Sequence, residues 1–265
     1  MALRQGAPGE DAPLRALIER FGLRADKRLG QHFLLDPNLL RRIAAAAGDL
    51  SGRTVVEVGP GPGGLTRALL ATPAARVIAI ERDPRCLLAL RSLAERAEGR
   101  LQLIEADALG VDLADLAGPA PDPAPDPGGG RLTIVANLPY NVGTALLVRW
   151  LDRIERLERL TLMFQREVAA RIVAPPGSRT YGRLSVLVQW LCEAQSLMHL
   201  PARAFVPPPK VASSLVQLTP RPKPLWPADK RALERVLAAA FQQRRKMLRA
   251  SLKSLVAQPE ALLEA

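Results

Sequence analysis

Between residues 54 and 107 short apolar runs alternate with helix-forming segments, and the first junction is a glycine-proline loop. Thr54-Val55-Val56-Glu57-Val58 leads into Gly59-Pro60-Gly61-Pro62-Gly63-Gly64, after which Leu65 to Leu70 opens a helix. Arg76-Val77-Ile78-Ala79-Ile80-Glu81 is followed by an Asp83-Pro84 helix start that carries to about Ala97, and Leu101-Gln102-Leu103-Ile104-Glu105 ends at Asp107. The apolar runs are too short for buried helices and too continuous for half-exposed strands. They read as strands covered on both faces, which requires helical crossovers, a parallel sheet and the α/β class.

A later run, Leu132-Thr133-Ile134-Val135-Ala136, closes in Asn137-Leu138-Pro139-Tyr140-Asn141. Open parallel sheets place their ligands at the carboxyl edge of the strands. Four strand ends there carry Gly59, Glu81, Asp107 and Asn137. The loop fits G-x-G-x-x-G and lets backbone approach a nucleotide-like ligand closely, as in either a dinucleotide or an S-adenosylmethionine site. Pro60 and Pro62 remove two N–H groups that a pyrophosphate would want. Glu81, 22 positions after Gly59, is placed to accept from both hydroxyls of a ribose, and Asp107 from an adenine amino group or from its own turn. Asn137 offers an amide oxygen and Tyr140 a flat face, a pair suited to a planar ring that bears an amino group.

Upstream, Leu14, Leu17, Ile18 and Phe21 predict a short amphipathic helix ended by Gly22. Lys27 to Leu34 reads as a loop, and Asp36-Pro37 starts a helix that Gly48 closes. Residues 1–13 are expected to be disordered, and 117–130, rich in Pro, Asp and Gly, to form a surface insert. Downstream, a helix is expected near Gly143 to Leu151, a strand near Leu160 to Phe164 and a helix near Glu167 to Val173. Leu184 to Leu191 is open between helix and strand, and Ser214 to Leu218 reads as a late strand. Pro220, Pro222, Pro224 and Pro227 mark a linker before helical spacing returns at Leu233, Val236, Leu237, Ala240 and Phe241. The expected boundaries are residues 1–222 for the α/β domain and 223–265 for a small helical domain.

The chain of 265 residues has a formal charge of +11. Residues 201–254 hold twelve Lys and Arg against Asp229 and Glu234, so this stretch nets +10. A basic excess concentrated in a tail implies a polyanionic partner. Arg244, Arg245, Lys246, Arg249 and Lys253 are spaced to share one helical side and are the expected phosphate contacts. Two cysteines and two histidines without metal-ligand spacing argue against a disulfide framework and a metal centre. Without an 18-residue apolar run or the hydrophobic core of a signal peptide, a cytoplasmic protein is expected.

These motifs resemble the rRNA adenine N6,N6-dimethyltransferase family, on its bacterial 16S branch. The matching stretches are Leu29 to Leu34, Glu57 to Gly61, Ile80-Glu81, Asp107-Ala108, Asn137 to Asn141, Tyr181 to Ser185, Phe205 to Val211 and Phe241 to Lys246. The resemblance implies a Rossmann-like, seven-stranded class I methyltransferase domain with S-adenosyl-L-methionine as donor and two adjacent adenosines near the 3′ end of 16S rRNA as acceptors. The rRNA would be met in the small ribosomal subunit or its precursor. By the same resemblance His32, Leu34, Gly59, Gly61, Glu81, Asp107 and Asn137 bind the donor. Asn137 with the Leu138 or Pro139 carbonyl accepts the amino hydrogens of adenine, and Tyr140 and Phe205 stack on the base. His32 stands where the family usually has Asn, which makes a pH-sensitive donor site an expectation. Pro207 to Lys210 is expected to stiffen a loop near the pocket, and a monomer is expected. Rival readings are a 23S rRNA or DNA adenine methylase, an NAD-dependent dehydrogenase, which leaves Asn137 to Tyr140 without a task, and a non-catalytic ribosome-assembly factor.

Overall fold

The computed structural model describes residues 14–23, 25, 30–116, 130–242, 246–256 and 258–259. The expected disordered start, nearly all of the 117–130 insert, and Arg244 and Arg245 lie outside the described residues. In chain order the elements are α1 (Leu14–Arg20), β1 (Phe33–Leu34), α2 (Pro37–Ala46), β2 (Thr54–Val58), α3 (Gly64–Leu70), β3 (Arg76–Glu81), α4 (Pro84–Arg96), β4 (Leu101–Glu105), α5 (Leu113–Leu116), β5 (Leu132–Ala136) and α6 (Gly143–Trp150). They continue with β6 (Leu157–Gln165), α7 (Arg166–Ile172), α8 (Arg183–Leu191), β7 (Cys192–Leu200), β8 (Phe205–Val206), β9 (Ser213–Pro220), α9 (Lys230–Gln242) and α10 (Leu248–Leu252).

A seven-stranded sheet runs in the order β4-β3-β2-β5-β6-β9-β7. The strands from β2 to β6 pair in parallel, and β9 is antiparallel to both β6 and β7. Strand order reverses between β2 and β5, so their diverging crossovers leave a crevice above their carboxyl ends. Gly59 and Asn137 follow those two strands.

Alternation assigns each strand's side chains to the two faces. Val56, Val58, Ile78, Ile80 and Ile134 pack on one side with α6 and α8, while Val55, Val77, Ala79 and Val135 pack on the other with α2 and α3. Glu57 shares the Val55 face and is 2% exposed. The helix starts follow their capping residues. Asp36 accepts from Asn38 N at 2.9 Å ahead of α2, and Asp83 accepts from Arg85 N at 3.0 Å ahead of α4, with Pro at the first helical position in each.

Several expectations change. Leu184 to Leu191 is helical, and the chain leaves it directly into β7, an edge strand whose polar positions hid it. Phe33-Leu34, read as loop, pairs antiparallel with Phe205-Val206 as a separate two-stranded ribbon. Pro220 ends β9 rather than starting a linker, and the following segment is tied down by Leu225 N→Trp190 O at 2.9 Å and Trp190 Nε1→Trp226 O at 2.7 Å. Leu237 of α9 joins the same core cluster as Leu187, Trp190 and Leu191. Between α9 and α10 the chain bends at Lys246, so Lys246 and Arg249 do not lie on one continuous helix. Both are exposed.

Candidate active site

The crevice at the strand-order reversal is lined by His32, Leu34, Gly59, Gly61, Glu81, Asp107, Asn137, Leu138, Pro139 and Tyr140. Ten of the eleven residues expected to bind donor or base thus meet in one cavity. Phe205 does not line it: the side chain is 1% exposed and packs in the core with Leu200 and Leu215. Phe205 backs the β1–β8 ribbon opposite Leu34, and this corrects its expected stacking role.

The glycine loop is a turn without free donors. Gly59 N is bonded to Ile80 O, Gly61 N to Glu81 Oε2 at 3.0 Å and Gly63 N to Pro60 O, while Pro60 and Pro62 have no N–H. No amide from 59 to 63 is left to cradle a phosphate. Gly59 has φ +67°, and a Cβ there would sit 3.3 Å from the Pro139 ring. The loop after β2 and the loop after β5 are therefore in contact, and neither tolerates a side chain at Gly59.

Glu81 ends β3 and is 4% exposed. Its Oε1 accepts from Arg82 N at 2.9 Å and Asp83 N at 2.8 Å, and its Oε2 from Gly61 N. Of about four lone-pair sites three are taken, which leaves one, on Oε2, for a ligand donor where the sequence suggests two. Burial raises its pKa, and the three backbone N–H groups oppose that shift. Asp107 caps its own turn through Leu109 N→Oδ1 at 3.0 Å and pairs with Arg82 at 3.1 Å, while still lining the crevice.

The sequence marks Glu57 only as part of a strand. Its Oε2 is buried with no hydrogen-bond partner among the described residues, and it too lines the crevice. Burial pushes its carboxyl up to about 8; the Thr66 hydroxyl opposes the shift and the Glu81 charge adds to it. The signal available in the sequence was a lone acid within a strand otherwise buried on both faces. The crevice thus holds three carboxyl groups, Glu57, Glu81 and Asp107, against Arg82, which pairs with Asp107, and this lining suits a ligand that carries positive charge.

At the acceptor end, Asn137 Nδ2 donates to the His32 carbonyl at 3.0 Å. With its nitrogen committed, Oδ1 is the group left to receive a hydrogen bond from a ligand. The Pro139 carbonyl is also committed, to Val142 N at 3.2 Å and Gly143 N at 3.0 Å at the start of α6. The Leu138 carbonyl accepts no hydrogen bond from the described residues. His32 Nδ1 donates to the Pro207 carbonyl at 2.8 Å, and the His32 and Tyr140 rings lie 5.2 Å apart, tilted by 33°. This contact ties the proline-rich loop to the pocket. Tyr140 and Ser213 are bonded hydroxyl to hydroxyl.

Among the described residues no group of His, Cys, Asp and Glu is arranged to hold a metal ion, and no helix is long and apolar enough to cross a membrane.

The sequence profile of a family described as Ribosomal RNA adenine dimethylase matches residues 22–264. A protein of Mesorhizobium japonicum named "Ribosomal RNA small subunit methyltransferase A" is 57% identical over 255 residues, covering 95% of this chain and 88% of the relative. The protein of that name from Paramagnetospirillum magneticum is 57% identical over 243 residues, covering 92% and 83%. Among solved structures, a dimethyladenosine transferase from Plasmodium falciparum superposes with a TM-score of 0.67 at 29% identity, covering 88% of this chain and 78% of the other. The 23S rRNA methyltransferase ErmE superposes with a TM-score of 0.65 at 29% identity, covering 88% of each.

Proposed function

Because the chain belongs to the ribosomal RNA adenine dimethylase family, we propose that it transfers methyl groups from S-adenosyl-L-methionine to N6 of two adjacent adenosines near the 3′ end of 16S rRNA, each receiving two. The relatives at 57% identity are named for the small subunit, which favours this target over the 23S rRNA of the more distant ErmE.

The carboxyl-lined crevice and the phosphate-unfriendly loop support a cationic nucleoside as donor over a dinucleotide. Glu81 would take a ribose hydroxyl, Asp107 the adenine amino group, and the orphaned Glu57 oxygen the ammonium of the amino-acid end. His32, Leu34 and the glycine loop would close around the rest. Bound there, the donor supplies an electrophilic methyl group on a sulfonium.

The observation that carries the acceptor reading is the Asn137 amide with its nitrogen bonded to the His32 carbonyl. Adenine N6 is a poor nucleophile because its lone pair is delocalised into the ring. Asn137 Oδ1 and the Leu138 carbonyl would accept the two amino hydrogens, localising the lone pair and aiming it. Tyr140 would hold the plane of the base after it has left its helix. No group needs to remove a proton before transfer, since the amino proton becomes acidic once nitrogen has bonded to carbon. Orientation would then supply most of the acceleration. For the second methyl, one N–H remains to be held while the first methyl needs room beside Asn137.

Asn137→Ala tests this assignment. Turnover should fall below detection while calorimetric affinity for S-adenosylmethionine changes less than about threefold; retained turnover would sink the assignment.

A further inference from the structure

We propose that Ser213 is a positioning residue for the acceptor base, acting through Tyr140. This rests on the reading of Tyr140 as the aromatic wall of the acceptor site. Tyr140 sits in the irregular segment between β5 and α6, where the backbone alone does not fix a ring. Ser213 is the opposite kind of site. It opens β9 in the interior of the sheet, pairs with Gln165 of β6 and Leu200 of β7, and is wholly buried. Its Oγ bonds the Tyr140 hydroxyl at the far end of the ring.

The axis of an aromatic ring swings about the first side-chain torsion unless the far end of the ring is pinned, and rotation of the ring about that axis is broad unless a neighbour meets its flank. Here the hydroxyl is held by the sheet and one flank is met by His32, itself fixed by the Pro207 carbonyl. Pro207 begins the β8–β9 connection and Ser213 directly follows its end, so one stretch of chain sets both rings. Methyl transfer depends on the angle and distance at which N6 meets the methyl group, and misplacement by about 1 Å costs on the order of a hundredfold in rate. A tilted wall misplaces the base without weakening the grip on the rest of the RNA, which rests on phosphate contacts. The loss should therefore appear in kcat and spare the KM for the RNA. It should weigh more on the second transfer, where the base is bulkier.

The test compares Ser213→Ala, Tyr140→Phe, the double variant and Tyr140→Ala on unmodified small subunits, with S-adenosylmethionine affinity and Tm measured alongside. Removing the bond from either side should lower kcat about three- to tenfold and raise the ratio of monomethyl to dimethyl product. Donor affinity and the KM for subunits should stay within about twofold, and the double variant should be no slower than the slower single one. Wild-type kcat in Ser213→Ala, losses that multiply in the double variant, or a loss traced to donor affinity would each overturn the proposal. If Ser213→Ala fails to fold, Tyr140→Phe removes the same bond from the partly buried partner and decides the matter alone. A fully active Tyr140→Ala would instead reject Tyr140 as the wall; an inactive Tyr140→Ala beside a normal Ser213→Ala would reject only the role of Ser213.

Discussion

The side-chain nitrogen of Asn137 is hydrogen-bonded at 3.0 Å to the main-chain carbonyl of His32, a residue 105 positions earlier. This contact orients the amide and couples the strand end that would meet the acceptor to the segment that would cover the donor. Replacing Asn137 by Asp sets a carboxylate against that carbonyl with no hydrogen to share. Asn137→Asp should lower kcat on the order of a hundredfold or more, by analogy with loss of one preorganised polar group. It should also destabilise the fold by about 1–3 kcal/mol through an unsatisfied contact. Steady-state kinetics and urea denaturation measure the two effects separately.

Glu57 should make donor binding pH-dependent. Its carboxyl titrates near 8 in the folded protein, above the ordinary 4.5, so between those values the folded state holds a proton that the unfolded state has lost. Stability is fully present below about pH 4.5, declines as pH rises through that window, and levels off above 8. A cationic ligand prefers the ionised carboxylate, so S-adenosylmethionine affinity should rise between pH 6 and 8 with release of a proton. Calorimetry in buffers of different ionisation enthalpy detects that proton, and Glu57→Gln should abolish both the release and the slope.

Phe205→Ala should act on the core. Truncating a fully buried phenylalanine costs about 3–5 kcal/mol, and the loss should appear in Tm before any change in base stacking. A variant with wild-type stability and no activity would restore Phe205 to the acceptor site.

Lys246 and Arg249 are exposed and free of ion pairs among the described residues. Neutralising both should weaken binding of small subunits and lower the slope of log K against log salt by about 2. An unchanged slope would mean that the phosphate grip lies elsewhere.

The strand ends were legible in the sequence because each is local: an apolar run, then Gly59, Glu81, Asp107 or Asn137. The helix starts at Asp36-Pro37 and Asp83-Pro84 were legible for the same reason. What stayed hidden depends on partners far along the chain. Phe33-Leu34 is a strand only because Phe205-Val206 lies beside it, and that pairing, not any local pattern, puts Phe205 in the core. β7 carries Glu193, Gln195 and Ser196 because it is an edge strand with a wet face, so its alternation is weak. The choice between the Leu138 and Pro139 carbonyls could not be made until α6 was seen to claim the latter. Glu57 and Ser213 are ordinary residues in strands, and only their burial, against the crevice for Glu57 and against Tyr140 for Ser213, sets them apart.

The Asn137 clamp should present adenine N6 of small-subunit rRNA to a sulfonium methyl. Small subunits from cells lacking this modification, incubated with the protein and methyl-labelled S-adenosylmethionine, should gain label on N6 of two adjacent adenosines near the 3′ end of 16S rRNA, approaching four methyls per particle. Label at any other nucleotide, on 23S rRNA alone, or on no RNA would contradict it.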